Sequence, residues 1–263
     1  MKPFIKWAGG KRWLLNDPSF DLPTFSGRYI EPFLGGGAVF FHLAPARAIL
    51  SDANERLIST YKAIRDEWRL VQSSLIRFQE NHSKEFYYKE RKREHVEPHV
   101  RAAQFLYLNR TCYNGLYREN LKGQFNVPLG TKTQVVLPDD DFQKASRILS
   151  RANLQACDFE ATVDEAKAGD LVFLDPPYTT AHNHNGFIKY NQKIFTWEDQ
   201  KRLRNAVRGA QQRGARVILT NADHESIHEL YIELGAATVI HRKSVISGSA
   251  TSRGGASESL FIF

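Results

Sequence analysis

Asp170-Leu171-Val172-Phe173-Leu174-Asp175-Pro176-Pro177-Tyr178 is the most informative run of residues in the chain. It opens as a short apolar run, the pattern of a parallel strand covered on both faces. It stops on an acid followed by two prolines, which donate no N–H to a ladder and set a rigid turn. A carboxylate is thereby expected at the carboxyl end of a central strand, the edge where open α/β sheets bind ligands. The Asp175 and Pro176 carbonyls are acceptors, and Tyr178 adds a flat aromatic face. Acceptors beside a stacking platform suit an amino group on a planar ring. Read alone, the same residues are equally an ordinary strand-to-loop turn.

Outward from this stretch the chain alternates strand and helix. Downstream, 181–195 reads as a loop, in which His182 and His184 do not by themselves make a metal site. Thr196 with Asp199 can cap a helix running to Arg213, stopped by Gly214 before a strand at 216–219. A helix over 225–234 leads to a strand at 238–245, a Gly/Ser loop at 247–257 and a last strand at 258–263. Two consecutive strands joined by a loop predict an antiparallel pair at the end of the sheet. Just upstream, 154–159 reads as a short strand ending near the acid Asp158.

Further upstream, Tyr29 to Phe41 reads as strand, glycine turn and helix start. Its glycines permit positive φ and close approach to a ligand at a helix N-terminus. The turn is not the dinucleotide fingerprint, because Phe40 stands where the third glycine belongs. The strand Ala48-Ile49-Leu50-Ser51-Asp52 ends in an acid where a ribose hydroxyl pair is usually held. Asp52 also reads as a helix-start acid before Asn54, and the two roles are compatible. Near the amino end a Gly9-Gly10 turn carries Lys11 between Trp7 and Trp13. It fails as a phosphate loop, with Ile5 at the first glycine position and Arg12 where Ser or Thr would bind magnesium. A lysine and an indole beside a turn instead suit a carboxylate and an adenine-like ring.

Between these α/β halves lies different material. Apolar residues from Leu57 to Phe78 recur at three- and four-residue steps, predicting one amphipathic helix or two in succession. Residues 84–101 mix both charges and read as a solvated helical face, and 102–108 is again helical. The stretch 109–128 is rich in Asn, Gly, Tyr and cationic residues, with turn signals at Asn114-Gly115 and Lys122-Gly123. Cations beside aromatic and aliphatic wedges are what nucleic-acid contacts use; the same composition also suits a polar loop packed on its own domain.

The 263 residues are 42% hydrophobic, enough for one sizeable core with an inserted subdomain. Thirty-six Lys and Arg against 29 Asp and Glu leave a formal charge of +7, a modest excess compatible with a polyanionic partner. Cys112 and Cys157 stand far apart; they leave room for one disulfide at most and exclude a disulfide-stapled secreted scaffold. The first residues lack the apolar core of a signal peptide, and no window reaches the roughly 18 apolar residues that span a bilayer. A soluble, cytoplasmic protein is expected.

Several motifs, in this order, resemble the Dam-like family of DNA adenine-N6 methyltransferases (D12 class). They are Lys6-Trp7-Ala8-Gly9-Gly10-Lys11, Glu31 to Phe40, Ser51-Asp52, Leu106 to Arg110 through Tyr113-Asn114-Gly115-Leu116, Phe125-Asn126-Val127-Pro128, and Asp175-Pro176-Pro177-Tyr178. Departures occur at Gly36, Ala38, Thr111-Cys112 and 181–186. The resemblance implies an α/β, Rossmann-like S-adenosylmethionine-dependent methyltransferase sheet with an antiparallel C-terminal strand. Residues 1–55 and 146–263 would form the catalytic domain, and 56–145 an inserted, mainly helical target-recognition domain with a β-hairpin. By matching position, Trp7, Lys11, Glu31, Phe33, Gly35, Gly37, Asp52, Asp158 and Asp175 would bind the cofactor. Lys6, Arg110, Tyr113, Asn114, Leu116, Arg118 and Lys122 would face double-stranded DNA, and Asp175, Pro176, Pro177 and Tyr178 would be catalytic. The resemblance further implies no metal, a monomer of prokaryotic or phage origin, and a GATC or related site. Cytosine N4, or an RNA amine, remains an alternative acceptor for the same motif. A catalytically silent DNA-binding module of the same fold is the alternative from another class.

Overall fold

A computed structural model describes residues 1–18, 20–120, 123–181, 195–243 and 255–263. Lys122, His182, His184 and most of the expected 181–195 and 247–257 loops lie outside the described residues.

Seven strands form one sheet: β1 (Tyr29–Glu31), β2 (Ala48–Asp52), β3 (Ala152–Ala156), β4 (Leu171–Leu174), β5 (Arg216–Ala222), β6 (Thr238–Lys243) and β7 (Gly255–Ile262). Their order is β3-β2-β1-β4-β5-β7-β6. β1 runs parallel to β2 and β4, and β4 parallel to β5. β7 enters antiparallel to both β5 and β6, so the expected antiparallel pair closes the sheet. All four β4 residues are buried, as its apolar run requires of a strand covered on both faces. The mixed α/β sheet is consistent with a Rossmann-like methyltransferase. Strand order reverses between β1 and β4, the switch point at which such sheets bind ligands.

The described helices are α1 (Ala38–Leu43), α2 (Glu55–Glu80), α3 (Lys84–Glu90), α4 (Pro98–Thr111), α5 (Phe142–Leu149), α6 (Phe159–Asp164), α7 (Trp197–Gln212) and α8 (Glu225–Tyr231). The α2 periodicity yields one helix bent at Glu67, whose φ of −135° is not helical. Thr196 and Asp199 form the expected capping box on α7. The strand expected at 154–159 sits earlier, because Asp158 accepts a hydrogen bond from Glu160 N and caps α6 instead.

Residue contacts group the chain into two units. The first comprises Met1–Asp21, Leu34–Ala46 and Asp52–Cys157, with α2 packed on α4 and α5. From Ala102 to Thr111 every α4 residue is buried. Glu90, read as part of a solvated face, is also buried, because its carboxylate accepts from His95 Nε2 (2.8 Å) and Arg93 (3.3 Å). The second unit comprises Leu22–Phe33, Arg47–Ser51 and Asp158–Phe263. Its core joins Ile30, Ile49, Val172, Leu174, Val217 and Leu219 of the sheet to Val163, Leu203, Val207 and Ile227 of α6, α7 and α8.

Candidate functional site

In the second unit, β4 ends at Leu174 and delivers Asp175 to the carboxyl edge of the sheet beside β1, which ends at Glu31. Asp175 Oδ1 accepts a hydrogen bond from Thr220 Oγ1 at 2.9 Å. Three residues on, the Tyr178 hydroxyl donates to Glu258 Oε2 at 2.6 Å. Burial, together with the Asp175 and Glu258 charges, pushes the Tyr178 phenol well above its ordinary value, so it stays protonated. Glu31 is buried and accepts from Tyr29 Oη at 2.9 Å. Phe33 is half-buried, stacked on Phe159 with centroids 5.4 Å apart and edge-on to Phe195. Asp158 is exposed and paired with Arg202 at 2.8 Å; the same guanidinium binds Glu160 and Asp199 and lies over the Phe159 ring.

In the first unit, the amino-terminal turn and the glycine turn come together. The Trp7 indole stacks on Tyr117 (5.4 Å, 23°) and lies over Phe105 (6.5 Å, 19°). Gly35 adopts φ +47°, and a Cβ there would fall 2.6 Å from Trp7 Cδ1. Only glycine meets both conditions. Gly37, at φ +65°, starts α1. Asp52 Oδ2 accepts from Gly35 N at 3.0 Å and Oδ1 from Asn54 N at 2.9 Å, so the acid holds the glycine turn and the start of α2 together. Burial raises the Asp52 carboxyl above its usual value, against the lowering effect of those two N–H donors. Lys11 is buried, its ammonium donating to Gly9 O at 2.8 Å.

The residues expected at DNA divide into two groups. Lys6 is clamped by the buried Asn109 amide, which accepts from Lys6 N (3.0 Å) and donates to Lys6 O (2.8 Å). The Lys6 ammonium donates to Asn114 O. Asn114 and Gly115 both have positive φ (56° and 61°), and Leu116 N reaches Tyr113 O, the geometry of a type I′ turn. The turn leaves Tyr113 56% and Leu116 37% exposed. Arg118 Nε donates to Asn126 Oδ1 at 2.9 Å, and bridges pair Glu119 with Phe125 and Cys112 with Leu129.

Arg110 is the correction. Its guanidinium is buried and donates to both Asp140 oxygens (2.6 and 2.7 Å), Val135 O (2.7 Å) and Phe4 O (3.0 Å). It ties the amino-terminal segment to the 135–140 loop and presents no donor to DNA.

The residue-by-residue reading missed Tyr117, Asn109, Thr220 and Glu258. Asn109 and Tyr117 lie inside the 109–128 stretch already marked by its composition, and Glu258 heads an apolar final strand; Thr220 left no trace in the sequence. His228 Nε2 meets both Ser259 Oγ (2.7 Å) and Asp223 Oδ1 (3.1 Å). One ring nitrogen serves both partners and Ser259 is fully buried, so the three do not form a nucleophilic relay. Among the described residues, no three His, Cys, Asp or Glu side chains group as a metal site, and no helix is long and apolar enough to cross a membrane.

Comparison with known proteins adds a direct finding. The family model for the D12 class N6 adenine-specific DNA methyltransferase matches residues 7–247. The type II methyltransferase M1.LlaDCHI of Lactococcus lactis subsp. cremoris is 37% identical over 243 residues, 88% of this chain and 84% of that protein. The DNA N-6-adenine-methyltransferase of Escherichia phage P1 is 38% identical over 239 residues, 89% of this chain and 31% of the phage protein. The DNA adenine methylase of Escherichia coli (strain K12) is 33% identical over 254 residues, 95% of this chain and 91% of that protein.

Proposed function

The chain belongs to the D12 class of N6 adenine-specific DNA methyltransferases, and we propose that it methylates an adenine turned out of the duplex in GATC or a related short site. It is an S-adenosylmethionine-dependent enzyme acting on DNA adenine, a reading that the family and the relatives' names favour over the cytosine-N4, RNA and silent-module alternatives. The observation that carries the detailed reading is the placement of Asp175-Pro176-Pro177-Tyr178 at the carboxyl end of β4, beside β1 where strand order reverses.

The chemistry asked of these residues follows from the acceptor. An exocyclic adenine amine is a poor nucleophile, because its lone pair is delocalised into the ring. The Asp175 carboxylate and the Pro176 carbonyl accept hydrogen bonds from that amine and favour a pyramidal nitrogen, restoring the lone pair for attack. Catalysis by this chain is then positioning and electrostatics. The amine is out of reach inside a duplex, so the base must be extruded, and Tyr178 with Pro177 is assigned to its flat face.

S-adenosylmethionine supplies an electrophilic methyl group on a sulfonium. The residues of the first unit suit its parts: a Gly35–Gly37 turn whose first position admits no Cβ, the Asp52 carboxylate for a ribose diol, and a half-buried Trp7 ring for apolar contact, a role assigned to Phe33 as well. Lys11, Glu31 and Asp158 complete the assigned set, Asp158 through a carboxylate shared with Arg202. Gly35→Ala would force a methyl into Trp7 and impose about 1–2 kcal/mol of left-handed strain. Titration calorimetry should show cofactor affinity falling about tenfold; an unchanged affinity removes this turn from the cofactor set.

Residues 56–145 are assigned to target recognition, and 1–55 with 146–263 to catalysis. Lys6, Tyr113, Asn114, Leu116, Arg118 and Lys122 are the assigned DNA contacts, with Arg110 withdrawn. Arg118→Ala should reduce discrimination between cognate and mismatched duplexes by about 1–3 kcal/mol at one base pair. Equal discrimination by both proteins takes Arg118 out of the reading set. We place the enzyme in the cytoplasm as a monomer. Mass spectrometry of DNA from expressing cells, with digestion by nucleases that differ in sensitivity to GATC methylation, tests product and site together. N6-methyladenine without GATC protection would overturn the site alone.

A further inference from the structure

We propose that Thr220 and Glu258 are positioning residues for methyl transfer, Thr220 setting the plane of the Asp175 carboxylate and Glu258 the orientation of the Tyr178 ring. The inference rests on the reading of Asp175 to Tyr178 as the reacting motif. It starts from strand register. β4 and β5 run parallel with Leu174 opposite Leu219, so the next residue on each strand, Asp175 and Thr220, also come side by side. The Thr220 hydroxyl carries one proton; Asp175 Oδ1 lies at 2.9 Å, Leu174 O at 3.3 Å, and the Tyr178 hydroxyl is also within its hydrogen-bonding reach. The nearer acceptor is a carboxylate, and it takes the stronger bond. Thr220 is 2% exposed and β-branched, so the position of its hydroxyl oxygen is fixed by a stiff χ1 on a sheet strand. Asp175 has the opposite character: its terminal torsion is broad. The rigid donor therefore favours one rotation of the Asp175 carboxylate.

Glu258 acts on the other end of the motif by the same kind of register. β7 lies antiparallel on β5 with Glu258 opposite Ala222, at the carboxyl end of β5. Its carboxylate, in a residue only 4% exposed, accepts a 2.6 Å hydrogen bond from the Tyr178 hydroxyl. Burying a carboxylate is costly unless it is hydrogen-bonded, and an apolar side chain would fill the same volume without that cost. The phenol is in turn held by its polar tip, which fixes the plane of the face assigned to the base. An antiparallel strand added to a parallel sheet thus brings a carboxylate from 80 residues away onto the motif.

The test uses the full-length enzyme with S-adenosylmethionine and unmethylated duplex DNA. Thr220→Val keeps shape and removes the donor, Thr220→Ser keeps the donor, and Glu258→Gln keeps an acceptor and removes the charge. Thr220→Val should lower the single-turnover methylation rate about 10–100-fold, the order expected of a misplaced reacting group, with cofactor Kd and DNA KM within about threefold of wild type. Thr220→Ser should recover the rate to within about fivefold, and Glu258→Gln should lower it about tenfold. A wild-type rate in either Thr220→Val or Glu258→Gln overturns the proposal. So does a loss that Thr220→Ser fails to rescue, or one matched by an equal loss of cofactor affinity. Should Thr220→Val not fold, Thr220→Cys replaces it under the same criteria. Asp175→Ala, run alongside, separates the two levels. An active Asp175→Ala enzyme fells the motif reading itself, whereas an inactive one beside a normal Thr220→Val enzyme fells only this inference.

Discussion

Replacing Asp175 with alanine should abolish methyl transfer while the protein remains folded. The single-turnover rate should drop about 10³-fold or more, which is about 4 kcal/mol of transition-state stabilisation. The size follows from what the residue is asked to do. The carboxylate stands at the end of a fully buried strand, held by Thr220 Oγ1 at 2.9 Å. Its bond to the amine matters most as the nitrogen pyramidalises, so its loss falls on the transition state more than on binding. The fold should survive, because the β4 residues that carry the packing, Leu171 to Leu174, are untouched. Asp175→Asn keeps an acceptor without the charge and should retain part of the lost rate. The check is a rapid-quench assay at saturating cofactor, beside a melting curve. Turnover within tenfold of wild type in Asp175→Ala would remove Asp175 from the reaction.

Arg110→Ala should damage the fold, not the reading of DNA. The guanidinium makes four hydrogen bonds inside the first unit, two of them to Asp140, and its cation lies 5.8 Å from the Phe142 ring centroid. Removing it leaves the Asp140 carboxylate, 5% exposed, with the Leu137 N–H but without its counter-ion, and strands the Phe4 and Val135 carbonyls. Breaking a buried pair from one side costs about 3–5 kcal/mol. For a protein of this size that is about 6–20 °C in Tm. The Arg110→Met, Asp140→Leu double variant should recover much of the loss, because two apolar groups leave no buried charge behind. Calorimetric melting of the three proteins decides the matter. A normal Tm in Arg110→Ala, with DNA affinity alone reduced, would restore Arg110 to the DNA-facing set.

Arg110 also shows where a linear reading runs out. It stands between the apolar end of α4 and a cation-rich, Asn- and Gly-rich stretch, a context that suits a DNA contact. What places it inside is Asp140, 30 residues on, whose carboxylate matches the guanidinium fork. Glu90 misled in the same way, reading as one charge among many until His95 and Arg93 were seen around it. The Asn114-Gly115 turn behaved oppositely. Two residues that tolerate positive φ predicted the turn, and both adopt it.

Features that depend only on neighbours along the chain were legible before any coordinate. The apolar run stopped by Asp175-Pro176-Pro177 made β4 a central strand with an acid at its carboxyl end, because proline has no N–H to extend a ladder. The capping box on α7 and the glycine turn before α1 were equally local, resting on one side-chain bond or one torsion angle. Which groups hold those local features in place depends on contacts between residues far apart in the chain. Thr220 reaches Asp175 across 45 residues and Glu258 reaches Tyr178 across 80, through strand registers that a linear pattern does not encode. The same holds for the fate of each charge, because a carboxylate or guanidinium is written identically whether water or a buried partner neutralises it.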